Sequence, residues 1–263
     1  MARGNDSEKD ASVSPKSGVF GEKLGLVDHL DELRRRLIYC LLAIGAASTG
    51  GWYLAPPVLK FLAFGQKLQA LGPVDPFMWQ LKLAVIIGVV IASPIVILQI
   101  WLFVSPGLKP EERRFAFPTI FSAILLFFLG GGMGAYMVPL TLKILSKFLG
   151  GAVHADYALD RFISFVGSFV IGLGLMFETP VVLILLAKIG IVNYKQLAKG
   201  RGFALVIAVI ASAVITPTGD PFTMTAFAVP LYLLYEITLI AVRFIKPPKK
   251  PATAEIETPP DQG

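Results

Sequence analysis

Between His29 and Leu37 the chain reads HLDELRRRL, and two carboxylates and three guanidiniums fall within six of those residues. A carboxylate among cations can pair locally, or it can offer its oxygens to the forked N–H donors of a guanidinium brought by a partner. Leu30, Leu33 and Leu37 recur at i, i+3 and i+7, so the stretch predicts an amphipathic helix running into the apolar segment behind it. Arg35 and Arg36 follow Glu32 by three and four residues and are placed to pair with it. Arg34 to Arg36 suit a basic collar at a membrane surface. The acids do not, because carboxylates add little to membrane orientation. A second cluster, SPGLKPEERR from Ser105 to Arg114, sets Glu111 and Glu112 in the first turn of a helix opened by Pro110, where acids complement the helix dipole.

Three further acids stand where charge is expensive or positions a turn. Glu178, in GLMFETPVVLILL, lies mid-way along an apolar run. A charge at the centre of a bilayer costs about 3 kcal/mol on insertion scales. Glu178 therefore faces a bundle interior or a wet cavity, or it stays protonated against a neighbouring helix, and Pro180 predicts a bend beside it. Glu236, in PLYLLYEITLIAVRF, precedes Arg243 by seven residues, about 10 Å along a helix and too far for a direct pair. Helix packing and a supporting role are both open to it. Asp220 follows ITPTG, and with Pro221 at the first helical position it reads as the cap of the next helix.

Other chemistries lack their residues. The two histidines, His29 and His154, are far apart, and no HExxH zinc helix, Gly-rich phosphate loop or GxSxG elbow is present. Gly219-Asp220 resembles half of a membrane aspartyl-protease motif, but Pro217 stands where its first glycine belongs. The single cysteine, Cys40, excludes an internal disulfide and reads as a small buried hydrophobe. No cofactor, no metal and no enzymatic activity are expected.

The elements that must hold these residues are membrane spans. The chain has 263 residues, is 55% hydrophobic and 16% charged, and its mean hydropathy is +0.69. That is too apolar for a soluble domain. The net charge of +6 sits in short loops between apolar runs, which is not a nucleic-acid footprint. Six apolar runs stand near 37–54, 77–104, 115–138, 162–189, 203–216 and 222–244. The fifth, about 14 residues or 21 Å, falls short of the roughly 30 Å hydrocarbon core, so local bilayer thinning is expected there. Loops on the side of the N-terminus carry 18 Lys and Arg against five on the other. Both termini are therefore expected in the cytoplasm. Residues 1–22 carry no apolar core and read as a disordered tail without a cleavable leader, 23–245 as the membrane domain, and 246–263, rich in Pro and charge, as a second disordered tail. Gly130 and Gly134 form a GxxxG read as close packing within the bundle, ahead of a homodimer face.

Four motifs in order, HLDELRRRL, FVSPGLKPEERR, FETPV and ITPTGDPFTM…PLYLLYE, resemble the TatC family, the polytopic core of the twin-arginine protein translocase, from about residue 26 to 245. The resemblance implies an all-α membrane protein, six helices in a concave, glove-shaped bundle in the inner membrane of a prokaryote. It implies a subunit that binds twin-arginine signal peptides at the cytoplasmic face and exports folded proteins with the proton motive force. TatA and TatB single-span partners, self-association in a receptor complex and contact with the lipid bilayer are implied with it. By that resemblance Glu32, Glu112, Arg34 and Phe103 match the signal-peptide surface. Glu178 matches the polar residue inside the bundle, and Asp220 an acid of the last outer loop. Met224, with Glu236, falls in the partner-contact region, where the family often has Gln near 224. Two other readings stand beside this one: a proton-coupled transporter of small solutes using Glu178, and a scaffold without a ligand.

Overall fold

The computed structural model describes residues 20–105, 116–147, 156–216 and 220–245. The SPGLKPEERR cluster after Ser105, including Glu112, residues 1–19 and 246–263 of the two tails, and Pro217 to Gly219 lie outside the described residues, while Phe20 to Glu22, expected in the first tail, are helical. The apolar runs form helices that turn back on one another. Helix α1 spans Phe20–Leu62, α2 Asp75–Val104 and α3 Ala116–Lys147. The fourth run is broken into α4, Leu159–Met176, and α5, Thr179–Lys188. A one-and-a-half-turn α6, Tyr194–Lys199, leads into α7, Arg201–Ile215, and α8, Pro221–Arg243, ends the described chain. Among the described residues five helices, counting α4 and α5 as one, are long and apolar enough to cross a membrane, and α7 is a shorter apolar helix of 15 residues, about 22 Å.

Packing follows chain order. Helix α1 lies along α2, α3 along α4, and α7 against α8, while α2 touches α4 and α5 touches α8. The small core is centred on Leu83, Ile163, Phe169, Leu173 and Phe227, all fully buried. The Phe169 and Phe227 rings meet edge to face at 4.4 Å and tie α4 to α8. The GxxxG glycines let α3 reach α4. A Cβ at Gly130 would stand 2.6 Å from the Leu173 carbonyl oxygen, and one at Gly134 would run into the Phe169 carbonyl. The motif therefore packs within the chain, as its sequence reading favours.

The prolines leave carbonyls that neighbours satisfy. Pro94 has no N–H for the Val90 carbonyl, which accepts instead from Ser93 Oγ at 2.8 Å. Pro56, inside α1, likewise frees the Trp52 carbonyl, and Gln80 Nε2 of α2 donates to it at 3.3 Å. Helix α1 thus passes its two prolines and runs eight residues beyond the apolar stretch expected to end at 54. Helix α3 likewise continues through Pro139, past the expected end at 138.

The described chain is not wholly helical. Strand β1, Leu68–Gln69, pairs in parallel with β2, Tyr157–Ala158, and Gln69 Nε2 donates to Asp156 Oδ2 at 2.6 Å. This two-residue bridge is a local exception in a chain that is otherwise helical, as expected. It joins positions almost ninety residues apart, so no local periodicity announces it.

Candidate functional site

His29 and Arg36 of HLDELRRRL meet the last two turns of α2. Arg36 is the hub: its Nε donates to Glu32 Oε1 at 3.0 Å, its Nη2 contacts the same oxygen, and its Nη1 donates to Gln99 Oε1 at 3.2 Å. The other Glu32 oxygen faces His29 Nδ1 at 3.7 Å. The His29 ring stacks on Phe103, with centroids 4.3 Å apart and planes 11° apart. Helical spacing puts His29, Glu32 and Arg36 on one face of α1, and the antiparallel α2 brings Gln99 and Phe103, four residues apart, up to that face.

The expected pairing of Arg35 with Glu32 does not form among the described residues. Arg34 and Arg35 stay exposed, and Arg36 takes the acid because Gln99 anchors its far end at the α1–α2 seam. Phe103 joins Glu32 through His29, whereas Arg34 is not brought into that cluster.

The remaining candidates are scattered along the bundle. Glu178 sits at the break between α4 and α5, where Pro180 cannot donate to the preceding turn, which confirms the expected bend. One carboxylate oxygen, Oε1, is buried and meets no hydrogen-bond partner among the described residues. Asp220 caps α8, its Oδ1 accepting from the Thr223 backbone N–H at 2.8 Å and its Oδ2 bonded to the Thr223 hydroxyl, as the TPTGDP turn predicts. Met224 lines a cavity of about 450 Å³ between α7 and α8 with Leu205, Val209, Ala228 and Tyr232. Glu236 is three turns away on α8. It accepts from Arg201 Nη2 at 3.1 Å and from Tyr232 at 2.8 Å, so it acts in helix packing, with a partner at 201 rather than 243. Tyr232 links it to the Met224 cavity.

A further cross-helix pair also went unread in the sequence. Lys82 of α2 reaches Asp160 of α4 at 2.6 Å and 2.7 Å, with Ser164 Oγ at 3.3 Å. Its signal was present: a lysine near the far end of one apolar run and an aspartate just before another. Their proximity is a tertiary fact. No group of three or more His, Cys, Asp or Glu side chains that would hold a metal exists among the described residues.

Comparison with known proteins places this geometry. The family model for the Sec-independent protein translocase protein TatC matches residues 28–230. The chain is 36% identical over 228 residues to TatC of Carboxydothermus hydrogenoformans, covering 84% of this chain and 94% of that one. It is 33% identical over 244 residues to the chloroplastic TATC of Arabidopsis thaliana, covering 88% and 72%. A crystal structure of the twin-arginine translocase receptor TatC superposes with a TM-score of 0.72 at 36% identity, covering 82% of this chain and 98% of that one. With its long apolar helices, its order of motifs and its backbone all in agreement, the chain belongs to the TatC family of Sec-independent protein translocase proteins.

Proposed function

We propose that this multi-pass membrane protein is the receptor and core subunit of its translocase, and that Glu32 receives an arginine of a twin-arginine leader. One observation carries the reading: the Glu32 carboxylate, a third exposed, already holds a guanidinium, that of Arg36. The same acid can hold the leader's. Two adjacent arginines call for a second acid, and Glu112, eight residues after the last residue of α2, supplies it. Phe103 and Arg34 border the same surface. Exposed ion pairs contribute only about 0.2–1 kcal/mol each. The leader's apolar segment therefore supplies most of the affinity by lying against the bundle.

In this reading both termini and the Glu32 end of the bundle face the cytoplasm, consistent with 18 cations against five in the loops. The six apolar helices form a concave bundle. Single-span partners of the TatA and TatB kind dock beside α7 and α8, where Met224 lines an apolar cavity. The proton motive force drives folded cargo across. Glu178 serves as the polar group within the bundle. A photo-crosslinking leader tests the site. Neutralising Glu32 and Glu112 together (Glu32→Gln, Glu112→Gln) is expected to abolish crosslinking while the protein still inserts stably. Crosslinking at the wild-type level contradicts the assignment.

A further inference from the structure

We propose that Arg36 is an internal stand-in for the leader's guanidinium, held on Glu32 until a leader displaces it. The inference rests on the reading of Glu32 as part of the leader site. Arg36 spends two donors on one oxygen of Glu32 and a third on Gln99. Its side chain is 20% exposed and that of Glu32 33%, so the pair is open to a competitor from the solvent side. A leader guanidinium forks onto both Glu32 oxygens at once only when Arg36 withdraws from Oε1. Withdrawal is cheap, because a partly exposed i, i+4 pair is weak. Gln99, on the other helix, keeps hold of Nη1, so the displaced guanidinium retains a partner.

The exchange has a quantitative consequence. A site vacant for only a fraction of the time binds every ligand more weakly by that fraction. The penalty is the same for a twin-arginine and a twin-lysine leader, so Arg36 sets how tightly any cationic segment is held, not the ratio between them. Lone basic residues, weak to begin with, are pushed below useful occupancy, while a leader with two arginines and an apolar segment stays above it. Arg36 also cancels the charge of Glu32 in the resting state. Removing it leaves a more anionic patch whose attraction for a cationic leader is more sensitive to salt.

The test is equilibrium binding of a synthetic leader peptide, in twin-arginine and twin-lysine forms, to the full chain in phosphatidylcholine nanodiscs at several salt concentrations. Arg36→Gln is expected to tighten both peptides by the same factor, about two- to threefold, and to steepen the salt dependence. Arg36→Lys, which keeps the charge but loses the fork, is expected to fall between. Arg35→Gln removes the same charge from an exposed neighbour and is expected to change affinity less. An equal gain in Arg35→Gln and Arg36→Gln overturns the stand-in, because simple long-range repulsion then explains it. Unchanged or weaker binding by Arg36→Gln also overturns it, Arg36 then serving to position the acid. Glu32→Gln separates the two readings: if it binds the leader as well as wild type, the proposed site itself fails, whatever Arg36 does.

Discussion

Glu32, Asp160 and Glu236 each sit beside a cation, but each pair does different work. Arg36 lies on the same helix as Glu32, so that pair secures no tertiary contact by itself, and its half-buried acid keeps one oxygen clear of Arg36. The other two pairs join helices: Asp160 with Lys82 clamps α4 to α2, and Glu236 with Arg201 clamps α8 to the start of α7. Lys82→Met is expected to destabilise the fold by about 0.5–1 kcal/mol, the scale of a partly exposed pair. The swap Lys82→Asp with Asp160→Lys should recover part of it, read as the midpoint of thermal unfolding in detergent. A swap no better than the single change would show that the pair does not couple α2 to α4. At this scale the sequence disclosed which groups could react but only the partners within one helix turn. Glu32 with Arg36 and Asp220 as a cap follow from spacings of four and three. Arg36 with Gln99, Lys82 with Asp160 and Arg201 with Glu236 cross between helices, and no spacing encodes them.

Elements were legible where composition alone sets them. Apolar runs became helices because a chain in lipid must satisfy its own backbone, and the bend at Glu178 followed from Pro180. Helix ends were not legible where a neighbour supplies what the sequence removes, as Gln80 does for the Trp52 carbonyl behind Pro56. The GxxxG face offers the sharpest test of packing. Gly134→Leu drives a side chain into the Phe169 backbone and is expected to cost about 1–3 kcal/mol or more. Gly132→Leu, two residues away, meets nothing within 4 Å and should be nearly neutral. Thermal unfolding of both variants checks this. Equal losses would mean that α3 does not meet α4 along the glycines.

Taken whole, the molecule is apolar on the outside. Phe203, Ile207 and Val214 of α7 are 79%, 64% and 80% exposed, and Tyr53, Phe61 and Phe117 are similarly bare, which only a lipid surroundings stabilises. The six apolar runs and their order disclosed this from the sequence, and the β1–β2 bridge that closes two distant loops did not. The central claim is that a leader arginine sits on Glu32. A thermodynamic cycle tests it most directly: leader peptides with two arginines or two glutamines, bound to the full chain with Glu32 or with Glu32→Gln, in nanodiscs at fixed salt. The account predicts that the two losses overlap, so that removing Glu32 costs little once the arginines are gone. Losses that add in full would show that the arginines and Glu32 never meet.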